Sequence, residues 1–164
     1  MNIVLDELMA GLPDPTQMAS LAIRLLTAMF LGAIVGIQRE RQGKPAGLRT
    51  HMLVAMGAAL FVLGSLQSGM NSDEISRVIQ GLITGIGFIG AGAILKLEQK
   101  REIEGLTTAA GIWMTAAIGV AVGLGRLGLA MVSTLATWIT LALVRKLEQE
   151  LNEKQTAQET NAAK

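Results

Sequence analysis

Five stretches of mainly apolar residues divide the chain, at 18–37, 50–66, 75–97, 106–124 and 127–144. Each is bounded by charge or by glycine, and each lies near the roughly 17–20 residues that carry a helix across a bilayer core. The pattern predicts an all-α integral membrane protein of about five transmembrane helices. The fourth and fifth stretches are separated only by Gly125 and Arg126, so they are expected to form a tight helical hairpin. Ahead of the first span, Ile3, Val4, Leu5, Leu8, Met9 and Leu12 repeat at helical spacing up to the break at Pro13-Asp14-Pro15. Residues 1–17 are therefore expected to be an external segment containing a short interfacial helix. They hold Asp6, Glu7 and Asp14 and no Lys or Arg, which does not fit the basic leader of a secretory signal peptide. The membrane domain is expected over 18–146. The polar run at 147–164 is expected to be a frayed helix end and a cytoplasmic tail.

Composition strengthens the membrane reading. Of the 164 residues 51% are hydrophobic and 16% charged, with a mean hydropathy of +0.46, too apolar for a soluble core of this size to absorb. Aromatics are only 3% and glycines number 19, a balance that suits helices packed backbone to backbone. The absence of cysteine excludes disulfides, thiolate metal sites and a cysteine nucleophile.

The net charge of +1 hides a strong partition. Arg39, Arg41, Lys44 and Arg49 fill the first loop, Lys96, Lys100 and Arg101 the third, and Arg145 and Lys146 follow the last span; the opposite side receives Arg77 and Arg126. The positive-inside rule then puts the N-terminus outside and the C-terminus in the cytoplasm, and only an odd number of spans satisfies it.

The helix faces suggest where packing and chemistry lie. On the first span Arg24, Ala28, Gly32 and Gly36 form one ridge. Arg24 either points into the bundle along this small-residue ridge or snorkels to the outer headgroups, since it sits about 9 Å below the outer surface. The third span carries Gln80 and Thr84 on one face and Gly81, Gly85 and Gly92 on the face beside it. Gly87 and Gly90 add to the crowding, and close helix packing through these glycines is expected, with a locally broken helix as the alternative. Gln80 lies near the depth of Arg24 below Asp73, Glu74 and Arg77, which suggests an outer polar cluster. A second is expected at the cytoplasmic ends, where Arg39, Glu40, Arg49, Thr50 and His51 meet Glu104, Thr107 and Thr108, flanked by Trp113 and Trp138. His51, the single histidine, reads as an interfacial hydrogen bonder before it reads as a metal ligand or proton relay.

No phosphate-binding glycine loop, serine elbow or metalloprotease helix motif occurs, and the spans hold no carboxylate or histidine pair for intramembrane catalysis. The chain is therefore read as neither an enzyme nor a nucleic-acid binder, with no cofactor and no metal site. Its expected partners are the bilayer, a second copy in a homodimer or larger homo-oligomer, and another membrane protein.

Three stretches, in order, resemble the MgtC/SapB family of membrane domains: Arg39-Glu40-Arg41-Gln42-Gly43-Lys44-Pro45-Ala46-Gly47-Leu48-Arg49-Thr50-His51, then Gly85-Ile86-Gly87-Phe88-Ile89-Gly90-Ala91-Gly92, then Gly105-Leu106-Thr107-Thr108-Ala109-Ala110. The resemblance covers roughly residues 24–144. It implies a bacterial inner-membrane protein associated with magnesium homeostasis, acid adaptation and virulence-type stress survival, with membrane ATPases among the partners some members regulate. Gln38 stands where the family usually has Glu, and Arg77 is displaced by one residue from the family's Asp, Arg, Gln pattern around Asp73 and Gln80. Some members carry a further ligand-sensing C-terminal domain, which the short tail here is not expected to replace.

Two functions remain open on these grounds. The preferred one is a non-enzymatic modulator of a membrane partner. The alternative is a transporter or channel for Mg²⁺ or another small solute, for which the spans offer no Asp or Glu as ligands. Arg24, completed by Gln80 and Thr84, is a candidate anion or headgroup site under either.

Overall fold

A computed structural model describes Ile3, residues 14–97 and residues 102–143. The expected N-terminal interfacial helix and the polar tail fall outside the described residues, apart from Ile3 and Asp14.

The first helix, α1, spans Pro15–Arg41. Pro15 at its first position needs no N–H partner, and Arg39 and Arg41 in its last turn complement the helix dipole. At ~1.5 Å per residue its 27 residues reach ~40 Å, longer than a ~30 Å hydrocarbon core. Gly43, at φ +64°, turns the chain into α2, Leu48–Gln67. Gly69, at φ +74°, turns it again into α3, Ser72–Gly92. The start of α3 is a capping box: Asn71 Oδ1 accepts from the Asp73 and Glu74 N–H groups at 2.9 and 3.1 Å, and Glu74 Oε2 accepts from Asn71 N–H at 2.8 Å. After a short hairpin come α4, Leu106–Gly123, and α5, Leu127–Leu143, joined through Gly125 at φ +75°.

Helices α1 to α4 are long and apolar enough to cross a membrane, and α5 adds a shorter apolar helix of 17 described residues. Phe30, Phe61, Phe88, Leu129 and Val132 are exposed around the outside, as lipid-facing side chains should be.

The third helix is shorter than its hydropathy suggested. It ends at Gly92, and the expected continuation to residue 97 is instead a β-strand: β1, Leu95–Leu97, pairs antiparallel with β2, Glu102–Glu104. Gly105 gives the reason. Its φ of +94° lays the chain back over the end of α3, so close to the Ala93 carbonyl that a Cβ could not fit.

Packing centres on α2 and α4. On α1, Gly32 and Gly36 let the α2 backbone approach: an added Cβ would stand 2.5 Å from the His51 carbonyl oxygen at Gly32 and 2.7 Å from the Leu48 Cα at Gly36. On the other side of α2, Gly119 abuts the Ala55 carbonyl, and a Cβ at Gly123 would lie 2.8 Å from the Val62 Cβ. The two glycine pairs, each four residues apart, clamp α2 between α1 and α4. Ala28, Val35, Ala55, Ala59, Ile118 and Val122 fill the centre, joined by Ala130 and Leu141 from α5.

Helix α3 is peripheral. Only 17% of its most apolar stretch is buried, against 56% for α4. Of its glycines Gly90 packs, against Ala109; Gly81, Gly85, Gly87 and Gly92 meet nothing within 4 Å. Of the seven expected packing glycines, Gly32, Gly36 and Gly90 meet a neighbouring helix and the other four meet nothing within 4 Å; α3 leans on α4 through Ile86 and Gly90, and Gly81 and Gly85 border an open apolar groove between α3 and α2.

Candidate functional site

The buried face of α1 runs Ala28, Leu31, Gly32, Val35, Gly36 and on to Arg39, so helical periodicity carries a guanidinium into the bundle at the end of an apolar stripe. Arg39 is 2% exposed. Its Nη2 donates to Thr108 Oγ1 at 2.7 Å, tying α1 to the first turn of α4, and its Nη1 donates to Gln42 Oε1 at 3.3 Å.

Beside Arg39 opens a cavity of about 360 Å³, lined by Arg39, Lys44, Glu104, Gly105, Thr107 and Thr108 among others. Two cations, one carboxylate and two hydroxyls face it, together with the start of α4. No side chain caps that helix start, and the first N–H groups of a helix have no intrahelical acceptor.

Glu40 is adjacent in sequence but turned away. Its Oε2 accepts from the Leu48 N–H at 2.6 Å, placing a carboxylate at the N-terminus of α2. The same carboxylate occupies the space a Cβ would need at Gly47. Glu40 thus fixes the return of the chain from α1 into α2.

His51, fully buried, lies where α1, α2 and α4 meet; a Cβ at Gly36 would be 3.1 Å from its own Cβ, and one at Gly111 would be 3.5 Å from its Cε1. Its Nδ1 is 2.7 Å from Thr115 Oγ1. Thr115 Oγ1 also lies 2.8 Å from the Gly111 carbonyl, so the hydroxyl links His51 to the α4 backbone. Nε2 approaches the Ala46 backbone without a hydrogen bond of standard geometry. His51 is therefore an internal cross-brace between α2 and α4 rather than an interfacial group.

At the other end of the bundle Arg24 turns inward, partly buried, and Nη1 donates to the Gly123 carbonyl at 3.0 Å. A cation thereby caps the last carbonyls of α4, where the helix dipole is negative. This contact replaces the expected site with Gln80 and Thr84. Both are exposed on α3, where Thr84 Oγ1 donates to the Gln80 carbonyl at 3.0 Å. Asp73 is likewise exposed, in the first turn of α3.

The structure thus gathers Arg39, Glu104, Thr107 and Thr108 around one cavity, and places Glu40 and His51 in separate contacts nearby. Arg49 is exposed and Thr50 half-buried on the first turn of α2, neither lining the cavity. Trp113 lines an apolar pocket of about 140 Å³ between α3 and α4, and Trp138 is exposed on α5; neither lines the polar cavity. Sequence reasoning missed Lys44 as a lining residue, Thr115, and the glycines Gly111, Gly119 and Gly123. The signal for Thr115 was its spacing: seven residues after Thr108, it shares one face of α4. Among the described residues no group of three or more His, Asp or Glu is placed to hold a metal ion.

The chain is similar in sequence to several proteins. SrpB of Synechococcus elongatus is 44% identical over 140 residues, covering 79% of this chain and 77% of SrpB. MgtC of Salmonella typhimurium is 40% identical over 131 residues, covering 80% of this chain and 55% of MgtC. YhiD of Escherichia coli K12 is 41% identical over 143 residues, covering 83% of this chain and 66% of YhiD. The chain therefore spans little more than half of the MgtC proteins it matches. No solved structure is a significant match. The MgtC family match extends over residues 25–150, from the turn of α1 that follows Arg24 through every helix described above; the chain is a multi-pass membrane protein and belongs to the MgtC family.

Proposed function

We propose that this chain is a five-span protein of the bacterial inner membrane, N-terminus outside and C-terminus cytoplasmic, that modulates a membrane partner without catalysis. Its physiological setting is magnesium homeostasis, acid adaptation and virulence-type stress survival. The charge of the Arg39 cavity carries the mechanistic part of this reading. Two cations and one carboxylate line it, whereas Mg²⁺ takes a near-octahedral set of oxygen ligands that usually includes carboxylates. A cavity whose described lining holds two cations and a single carboxylate offers Mg²⁺ few ligands, which favours modulation over a magnesium pathway through this chain.

The orientation is supported by Arg39, Arg41, Lys44 and Arg49, all at the cavity end, against Arg77 and Arg126 at the other. The glycines of α3 that no described residue covers support association with a second copy, and a membrane ATPase is the other candidate partner. The alternative, a transporter, draws its support from YhiD, whose name marks it as a candidate magnesium transporter.

Purified full-length protein in liposomes loaded with a Mg²⁺-sensitive dye separates the two. The expected result is no protein-dependent, saturable Mg²⁺ flux, alongside a membrane protein that co-purifies from native membranes. Saturable flux would overturn the modulator reading.

A further inference from the structure

We infer that one face of α3 is the contact through which two copies of this chain pair in the membrane, with Gln80 meeting its own counterpart across a two-fold axis. This rests on the proposed association with a second copy and assigns it a face and a register. Asp73, Arg77, Gln80, Thr84, Gly87 and Ala91 are all exposed. Their spacing of four, three, four, three and four residues is the repeat by which one helix keeps a single seam against another. Among the described residues no helix covers that seam: α3 meets α4 through Ile86 and Gly90 and borders the groove with α2 through Gly81 and Gly85.

Gln80 is the residue that requires a partner. It lies ~12 Å along α3, a helix of 21 residues and ~31 Å, and so stands inside the hydrocarbon layer that α3 spans. Thr84 Oγ1 is served by its own helix, donating to the Gln80 backbone carbonyl at 3.0 Å. The Gln80 carboxamide makes no hydrogen bond among the described residues. Two N–H donors and a carbonyl facing lipid tails carry a desolvation cost that only a facing polar group relieves.

A second copy is the partner that fits the chemistry of the seam. Copies inserted in one orientation are related by an axis along the membrane normal, so α3 runs parallel to its counterpart and each seam residue faces itself at the same depth. A carboxamide both donates and accepts, so two Gln80 side chains bond each other reciprocally. Nearer the start of α3, Asp73 and Arg77 carry opposite charges one turn apart, and neither has an ion partner among the described residues. In the pair, Arg77 of each copy reaches Asp73 of the other. Beyond Gln80 the seam narrows to Thr84, Gly87 and Ala91, and a Cβ at Gly87 would meet nothing within 4 Å, so the two backbones can close. The exposed face of α5 differs: Leu129, Val132, Leu135 and Ile139 present bulky apolar side chains suited to lipid.

The chain has no cysteine, so introduced single cysteines report contacts directly. Full-length protein in native membranes, oxidised with copper phenanthroline, is expected to cross-link to itself from Thr84→Cys and Gly87→Cys but not from Val132→Cys, although Val132 is 67% exposed. In liposomes of phosphatidylethanolamine and phosphatidylglycerol, energy transfer between labelled copies diluted with lipid gives the dimer Kd. Gln80→Leu is expected to raise it about threefold to thirtyfold, the worth of one or two hydrogen bonds between membrane helices. Gly87→Leu wedges the seam apart and should raise it about fivefold or more. Gly128→Leu, on the exposed face of α5, should leave it within about twofold. A Cβ at either glycine meets nothing within 4 Å, so neither change crowds the fold of a single copy.

A protein that stays monomeric at every lipid ratio would overturn the inference together with association itself. Dimers that cross-link from Val132→Cys alone, or that ignore Gly87→Leu, would overturn the assigned face and leave association standing. Cross-linking of the seam to a different protein alone would give the face to that partner and overturn self-pairing. The magnesium flux assay judges the modulator reading separately.

Discussion

Gly32→Ala should loosen the bundle although it adds one methyl group and improves helix propensity. The new Cβ would stand 2.5 Å from the His51 carbonyl oxygen and 3.0 Å from the Ala55 Cβ. Carbon–oxygen approaches of this kind settle at about 3.3–3.6 Å, so α1 and α2 must part by roughly 1 Å. A gap of ~0.5–1 Å forfeits about a quarter to a half of each dispersion contact along the seam. Overpacking of this sort costs about 1–3 kcal/mol, and the alanine returns about 0.8–1.0 kcal/mol of helix propensity. The net change against the parent is then a loss of about 0–2 kcal/mol, and against a control that has the propensity gain alone about 1–3 kcal/mol. Gly64→Ala is the matched control, because a Cβ there meets nothing within 4 Å and only the propensity gain applies. Equilibrium unfolding in mixed micelles of rising SDS fraction, followed by tryptophan fluorescence at fixed protein concentration, measures both. If Gly32→Ala is as stable as Gly64→Ala, the close α1–α2 seam does not exist as described.

Four further outcomes are expected. Thr115→Val keeps the side-chain shape but leaves the buried His51 Nδ1 without its hydrogen-bond partner, so stability in the same assay should fall by about 1–3 kcal/mol. Arg24→Ala should destabilise by about 0.5–1.5 kcal/mol through the lost bond to the Gly123 carbonyl, and Arg24→Lys, retaining the charge, should recover part of it; an unchanged unfolding curve for Arg24→Ala would mean that the cap contributes nothing. Glu40→Ala removes the acceptor of the Leu48 N–H and should cost about 0.5–2 kcal/mol, as loss of a helix N-cap does, whereas Arg49→Ala on the same helix turn should lie within about 0.5 kcal/mol of the parent. Single cysteines at Lys44 and Arg126 should label from opposite sides of intact cells with a membrane-impermeant maleimide, Arg126→Cys from outside; labelling of both from one side would break the assigned orientation.

The spacing of apolar residues and of charge located the helices well, and the exceptions are instructive. The third stretch stayed apolar through Ile94, Leu95 and Leu97, so hydropathy extended it past Gly92. What accompanies the stop is a backbone event thirteen residues further on, the left-handed Gly105 closing over Ala93, and no local propensity encodes that contact. Glycine spacing showed which faces could pack closely but not which had a neighbour. Gly32 and Gly36 meet α2, while Gly81 and Gly85, spaced identically, border an open groove on a peripheral helix and meet nothing within 4 Å. The site was partly legible. Arg39 with Thr108 followed from helix ends that had to lie on one side of the membrane, but the partner of His51 lies 64 residues away on another helix, and only the fold brings Thr115 to it.

The clamp of α1 and α4 on α2 has a mechanical corollary. Three helices held backbone to backbone behave as one slab, since interiors packed at this density transmit displacement rather than absorb it. Helix α3 hangs on the slab by Ile75, Ile86 and Gly90, between Gly69 at one end and the β-hairpin at the other. On one flank it borders an apolar groove of about 500 Å³ shared with α2, and just beyond its far end Ala93 lines the Arg39 cavity. The end of α3 and the polar cavity therefore share a wall at Ala93, so neither can be repacked without the other.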